Sequence, residues 1–161
     1  MDNPVIAEVA RQDKSSVVAI KSHPIHAMAV AFPITLVLST LAADLFYWWT
    51  ADPFWARAAL GAGGGAFWLG LFAGVTGTLE LLLVRGIRNR TASWSHGVAA
   101  MMLLAVAGLN WGLRLHGPEE AIMPLGLFLS ALATVYVGLA GWHGGKLVFD
   151  YGMGMSISNK S

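Results

Sequence analysis

Long stretches without charge constrain this chain more than any other feature. Three of them contain no Asp, Glu, Lys or Arg: Ala58–Leu79, Gly97–Leu113 and the run from Ala121 to the residue before Lys146. A fourth stretch, Ala27–Trp49, contains a single charge, Asp44. A helix needs about 20 apolar residues to cross the hydrocarbon core of a bilayer. The pattern therefore predicts four transmembrane helices, at about residues 26–49, 57–84, 95–114 and 121–146.

The composition agrees with a membrane protein and excludes several other classes. Charged residues make up 12% of the chain, against about a quarter in soluble domains. This excludes a disordered chain, a basic nucleic-acid binder and an ordinary soluble enzyme. Because there is no Cys, disulfides, thioether-linked haem, Cys-ligated iron–sulfur clusters and thiol nucleophiles are excluded too. Any cofactor must be held by His, Met, Asp or Glu, or by packing alone.

The distribution of Lys and Arg predicts the orientation. Two basic residues, Arg57 and Arg114, belong to one side of the predicted bundle. Eight belong to the other side: Arg11, Lys14, Lys21, Arg85, Arg88, Arg90, Lys146 and Lys160. The positive-inside rule then places both termini in the cytoplasm. We predict an all-α, membrane-embedded four-helix bundle, multi-pass in a bacterial-type inner (cytoplasmic) membrane.

The domain organisation follows from these spans. Residues 1–22 form a cytoplasmic N-terminal segment, 23–149 the four-helix transmembrane domain and 150–161 a cytoplasmic tail. Asn3-Pro4 is a favourable helix start, and Ile6, Val9 and Ala10 would share one face of a helix. Residues 4–13 are therefore either a short helix on the membrane surface or an unstructured tail.

Small and polar residues mark the packing faces of the helices. Gly63, Gly70 and Gly77 recur at heptad spacing in the second predicted span, which we call the glycine stripe. Small residues let helix backbones approach closely in lipid. We expect the first three helices to meet through this stripe.

The polar residues fall into two layers. His23, His26, Glu80, His96 and His143 belong to the cytoplasmic end, whereas Asp44, Asn110, Arg57 and Arg114 belong to the outer end, with His116 in an outer loop. We interpret His143 and His116 as interfacial residues, and Asp44 as paired with Arg114 or Arg57 in a structural ion pair. For His26, Glu80 and His96 two interpretations stay open, a functional site and a hydrogen-bonded network, because intramembrane ionisable residues are costly.

Several motifs resemble the family of predicted membrane proteins known as DUF2231. They are His23-Pro24-Ile25-His26-Ala27-Met28, Phe32-Pro33-Ile34, Ala43-Asp44-Leu45, Asp52-Pro53-Phe54-Trp55, Gly74-x-x-Gly77, Glu80, His96, Asn110 and Gly141-Trp142 with Gly144-Gly145-x-Leu147-Val148. The resemblance covers about residues 22–155. It implies a four-span bundle, in related chains sometimes joined to redox domains, and no established activity.

The chain departs from the family pattern at four positions. Glu80 stands where the family usually has Asp, and His143 where it has an apolar residue. Lys146 replaces a Glu, and Tyr151 lies near the position of a family His. The family therefore lends no support to a role for His143 or for a carboxylate near the C-terminus.

The first functional hypothesis is electron transfer through a b-type haem. His26 and His96 lie on different helices at similar depth, and neutral imidazole is a strong axial ligand of haem iron. Glu80 would accept a hydrogen bond from one imidazole and fix its orientation. The chain would then be a non-catalytic redox subunit.

Two other hypotheses compete with haem. One is a cofactor-free accessory subunit of a larger membrane complex or homo-oligomer, suggested by the aromatic surface of Phe67, Trp68, Phe72 and Phe128. The other is a non-haem site for Zn, Fe or Cu built from His23, His26, Glu80 and His96. No P-loop, GxSxG, HExxH or Rossmann motif is present, so no enzyme class is indicated. The expected partners are lipid and membrane proteins, not nucleic acid.

Overall fold

The computed structural model describes residues 16–21 and 23–153, which are mostly helical. Four helices are long and apolar enough to cross a membrane, and we number them spans 1 to 4: Ile25–Thr50, Pro53–Leu83, Thr91–Arg114 and Ile122–Phe149. The predicted all-α architecture with four spans is confirmed. The cytoplasmic location of the termini remains a prediction, and the suggested helix at residues 4–13 lies outside the described residues.

Short elements interrupt or connect the spans. Span 1 consists of Ile25–Ala29 and Ala31–Thr50, and span 4 begins with a kinked segment, Ile122–Gly126, in which the backbone of Met123 is not helical, followed by Leu127–Phe149. A one-turn helix, Arg85–Arg88, joins spans 2 and 3. Before span 1, strand β1 (Ala19–Ile20) pairs antiparallel with strand β2 (His23–Pro24), in a hairpin that the sequence did not predict.

Spans 2 and 3 begin about four residues earlier than predicted. The Asp52 carboxylate accepts a hydrogen bond from the backbone N–H of Phe54, and Pro53 occupies the first helical position. An N-cap followed by Pro is a favourable helix start. Span 2 therefore begins before Arg57, the residue at which the charge pattern predicted its start. The side chain of Arg57 is exposed.

The four spans form a bundle in which spans 1 and 3 are diagonal neighbours. Span 1 packs along spans 2 and 4, and span 3 packs along the same two. Alanine dominates the interior, at positions 43, 56, 59, 66, 73, 99, 107, 133 and 140. Large apolar side chains such as Trp68, Phe72 and Phe128 are exposed on the outside. Close packing of small residues and an apolar exterior are the arrangement expected of a bundle in lipid.

The predicted packing of spans 1, 2 and 3 through the glycine stripe is confirmed. A Cβ built on each glycine would meet side chains of the neighbouring spans: Thr40 and Trp111 at Gly63, Pro33 and Leu104 at Gly70, and His26 at Gly77. The stripe therefore brings span 2 against both diagonal helices.

Substituting Gly70 by Leu should destabilise the bundle. A Cβ at this position would already lie 3.3 Å from Leu104 Cδ1 and 3.6 Å from Pro33 Cβ, so the rest of a leucine has no space. We expect a loss of about 1–3 kcal/mol of unfolding free energy, typical of overpacking. Thermal unfolding in detergent measures it. Gly61→Leu is the control, because a Cβ at Gly61 would have no neighbour within 4 Å. Equal melting of the two variants would contradict the packing.

Candidate functional site

Two histidines from the diagonal helices meet at one end of the bundle. His26 is the second residue of span 1, and His96 lies in the second turn of span 3. Their ring centres are 6.1 Å apart, and the ring planes are inclined at 79°. We call this the histidine pair. The structure therefore brings together the two residues that the sequence proposed as ligands.

Each imidazole of the pair is fixed by a backbone carbonyl of an adjacent helix. His26 Nδ1 donates to the Ala73 carbonyl of span 2 at 2.8 Å, and His96 Nδ1 donates to the Ala140 carbonyl of span 4 at 3.0 Å. A carbonyl oxygen can only accept, so the proton of each neutral ring is on Nδ1 and the lone pair is on Nε2. Among the described residues, neither Nε2 has a hydrogen-bond partner.

A glycine lies against each ring, one helical turn beyond the carbonyl. A Cβ on Gly77 would be 2.7 Å from both Cε1 and Nδ1 of His26. A Cβ on Gly144 would be 3.1 Å from Cε1 of His96. The two imidazoles therefore rest on helix backbone where a larger residue would displace them.

This arrangement shares two geometric features with histidines that bind metals. A histidine that binds a metal through one nitrogen commonly donates its other N–H to a carbonyl or carboxylate, which orients the ring. A metal–nitrogen bond is about 2 Å, and a ring nitrogen lies roughly 1 Å from the ring centre, so imidazoles facing each other across one metal have centres about 6 Å apart. The observed 6.1 Å agrees with that separation.

Glu80 is buried, as its place beyond the glycine stripe predicts, but it contacts a different partner from the predicted one. Its Oε1 accepts hydrogen bonds from the Ser16 hydroxyl and from the backbone N–H of Val18, the latter at 2.9 Å. Its Oε2 is buried without a hydrogen-bond partner. Glu80 therefore holds the segment before span 1 against the bundle and does not orient an imidazole.

The other histidines form no hydrogen bond with the pair in the part of the chain that the structure describes. His23 is exposed, and its Nδ1 donates to the Lys21 carbonyl at 2.8 Å. His143 is partly buried, and His116 is exposed. Within residues 16–21 and 23–153, no group of three or more His, Asp or Glu side chains could hold a metal. The four-residue site of His23, His26, Glu80 and His96 is therefore not assembled, because two of its members bond elsewhere.

The opposite end of the bundle contains a buried ion pair. Arg114 Nη1 and Nη2 donate to the two oxygens of Asp44 at 2.6 and 2.7 Å, and both side chains are fully buried. Arg57, the other predicted partner, is exposed. The predicted ion pair of Asp44 thus forms with Arg114 and crosses the bundle between the diagonal helices.

Two polar residues complete the bonding of this pair. Asn110 Oδ1 accepts from Arg114 Nε at 3.2 Å and from Nη2 at 3.0 Å. The Ser130 hydroxyl donates to Asp44 Oδ2 at 2.6 Å and accepts from Asn110 Nδ2 at 2.9 Å. Sequence reasoning included Asn110 and missed Ser130. Ser130 lies on the same face of span 4 as Ala133, Ala140 and Gly144 by helical spacing, and this pattern could have identified it as inward-facing.

Comparison with known proteins gives a family and no closer relative. Neither the search of curated proteins nor the search of solved structures returned a match. The family model described as "Predicted membrane protein (DUF2231)" matches residues 22–157, which include all four spans, the histidine pair and the ion pair. The chain therefore belongs to the DUF2231 family of predicted membrane proteins.

Proposed function

We propose that the histidine pair ligates the iron of a b-type haem and that the protein passes electrons within the membrane. The observation that carries this proposal is the carbonyl anchoring of both rings, which directs His26 Nδ1 and His96 Nδ1 to backbone and leaves each Nε2 lone pair for a ligand. Imidazoles from different helices of a bundle are common ligands of haem iron.

The number of protein ligands favours haem over a bare metal ion. Structural and catalytic zinc sites use three or four protein ligands. The described part of this chain offers only two histidines at the site. A porphyrin supplies four nitrogens of its own and needs two axial ligands, so the donor set fits. The absence of Cys requires the haem to be bound non-covalently.

The helices that flank the pair are poor in side chains at this level. Span 2 carries Gly74 and Gly77, and span 4 carries Gly144. A Cβ on Gly74 would meet only Leu104, at 3.8 Å. These glycines support the proposal because a planar macrocycle needs a flank without bulky side chains.

The proposed haem is near one membrane surface. The exposed basic residues Lys21, Arg85 and Arg88 are at the same end of the bundle as His26 and His96. The positive-inside rule supports a cytoplasmic location for this end. Electron exchange is therefore proposed on the cytoplasmic side.

A reduced-minus-oxidised absorption spectrum tests the proposal. We expect the purified wild type to show a Soret peak and a b-type α-band, and His26→Ala and His96→Ala each to lose at least nine-tenths of the α-band. His143→Ala is the matched control: His143 is also partly buried and lies near His96, but within the described residues it forms no hydrogen bond with either ring, so the α-band of this variant should be unchanged.

A wild type without a Soret peak after expression with ample haem would overturn the haem proposal. Metal analysis of that sample then separates a non-haem metal from a hydrogen-bonded network. The alternative hypothesis, a cofactor-free accessory subunit, predicts a haem-free protein that elutes within a larger complex after mild detergent extraction. The protein partners remain a prediction.

A further inference from the structure

Spans 1 and 3 carry corresponding residues at a constant offset. His26 and His96 are 70 positions apart, and Asp44 and Arg114 are also 70 positions apart. The members of each pair meet across the bundle, the two imidazoles with ring centres 6.1 Å apart and the two charged groups in a direct ion pair. Span 3 therefore repeats span 1 in the placement of its polar residues.

Spans 2 and 4 show the same correspondence at an offset of 67. Ala73 and Ala140 are the two carbonyl acceptors, and Gly77 and Gly144 are the two glycines under the rings. Both sets occur in the same sequence pattern, Ala-Gly-x-x-Gly. Each histidine is thus held in the same way by the helix that follows its own.

The centre of the bundle obeys both offsets. A cavity of about 10 Å³, the size of one water molecule, lies between the four spans. Its lining from spans 1 and 3 consists of Val37 with Ala107 and Thr40 with Asn110, each pair 70 apart. Its lining from spans 2 and 4 consists of Gly63 with Ser130 and Ala66 with Ala133, each pair 67 apart. The cavity is therefore lined entirely by corresponding residues.

These correspondences describe two equivalent helical hairpins, spans 1–2 and spans 3–4. Because corresponding helices run in the same direction, the hairpins are related by an approximate two-fold axis along the bundle, as in membrane proteins with parallel repeats. The histidine pair, the cavity and the ion pair all lie on this axis.

Opposite charges at one corresponding position make the two hairpins complementary. Two identical hairpins would place either two carboxylates or two guanidinium groups together in the interior, and buried like charges repel strongly. The second hairpin also supplies Asn110 and Ser130, where the first has Thr40 and Gly63. Asp44 therefore finds its complete set of partners only in the second hairpin.

We infer that Asp44 and Arg114 are positioning residues that fix the alignment of the two hairpins and thereby bring His26 and His96 together. Spans 1 and 3 are diagonal, so side chains that cross the axis are what connects them directly. The two pairs are 18 residues apart along each helix, or about 27 Å, one near each end. The inference concerns the position of the imidazoles. Only its consequence for electron transfer rests on the proposed function.

Exchanging the two charges tests this inference. Asp44→Arg and Arg114→Asp should each lower the melting temperature in detergent by roughly 10 °C or more, because each places like charges in the interior. The double variant Asp44→Arg/Arg114→Asp should recover part of that loss, because it restores a pair of opposite charges while Asn110 and Ser130 remain on the second hairpin. Asp44→Asn removes one charge and keeps a side chain of similar size, so its melting temperature should lie between those of the wild type and of the charge reversals. It also provides the test if the charge-reversed variants do not fold.

Spin labels measure the alignment directly. The chain has no Cys, so Met28→Cys and Val98→Cys introduce unique attachment sites at exposed, corresponding positions beside the two histidines. We expect a narrow distance distribution with the native ion pair, a broader one in Asp44→Asn, and a narrow one again after the charge exchange.

Either of two results would overturn the inference: a charge-exchanged variant no more stable than the weaker single variant, or a label distribution that Asp44→Asn does not change. Neither measurement depends on a bound cofactor. A wild type without haem would therefore overturn the proposed function and leave this test intact.

Discussion

Arg114→Met should lower the free energy of unfolding by about 3–5 kcal/mol, the cost of leaving one member of a buried ion pair without its partner. Asp44 is fully buried and accepts both Nη hydrogen bonds of Arg114 at 2.6 and 2.7 Å. After the substitution, Ser130 is its only remaining donor within the described part of the chain. Asn110 Oδ1 also loses its two hydrogen bonds from Arg114. Thermal or denaturant unfolding in detergent measures the loss.

Two further variants isolate the cause of this loss. Arg57→Met removes an exposed arginine from the same end of the bundle and should change stability by less than about 0.5 kcal/mol. The double variant Asp44→Leu/Arg114→Met should be more stable than Arg114→Met alone, because an apolar pair leaves no buried charge unpaired. If the double variant lost as much unfolding free energy as the two single variants together, the pairing of Asp44 with Arg114 would be contradicted.

The sequence predicted the parts of the site that depend on the cost of charge in a membrane. Asp44, Arg114, His26 and His96 stand in otherwise apolar helices, so each had to face the interior and find a partner. Helical spacing and depth were then sufficient to group them into two layers. The structure agrees with both groups, because inward-facing residues at the same depth of a four-helix bundle usually meet.

The contacts made by backbone groups were not predictable in the same way. Every residue has a carbonyl, so nothing in the sequence selects Ala73 or Ala140 as the acceptor for an imidazole. Glu80 was assigned to the histidines because it lies at a similar depth, and the sequence does not show which backbone or hydroxyl groups reach its carboxylate. Its actual partners, the Ser16 hydroxyl and the Val18 amide, reach it because the chain before span 1 folds back on the bundle.

The internal repeat was present in the sequence but weak. The separation of 18 between His26 and Asp44 recurs between His96 and Arg114, and Ala-Gly-x-x-Gly occurs in spans 2 and 4. Because one hairpin is three residues longer than the other in this comparison, no single period aligns all four spans. Contacts between the side chains were needed to show that the matching residues perform matching roles.

Gly77→Ala should displace the His26 ring and remove most of the proposed haem. The new Cβ would lie 2.7 Å from Cε1 and Nδ1 of an imidazole that is already fixed by the Ala73 carbonyl, so the ring has to move and its hydrogen bond has to lengthen or break. We expect a loss of about 1–3 kcal/mol in unfolding free energy from overpacking and an α-band at least tenfold weaker. Absorption spectra and thermal melting of the purified variant measure both.

Glycines of the second hairpin provide a graded control for this substitution. At Gly144 the nearest ring atom would be 3.1 Å from the new Cβ, so Gly144→Ala requires a smaller shift of His96 and should weaken the α-band less. At Gly141 nothing lies within 4 Å, and an alanine gains about 1 kcal/mol of helix propensity over glycine, so Gly141→Ala should be neutral or stabilising. The expected order of damage is therefore Gly77, Gly144, Gly141.

If all three variants kept their stability and spectra, the imidazoles could not be resting on these glycines, and the geometry of the histidine pair would be wrong. If stability fell in that order while no variant, nor the wild type, showed a Soret peak, the packing would be correct and the pair would be a structural contact without haem.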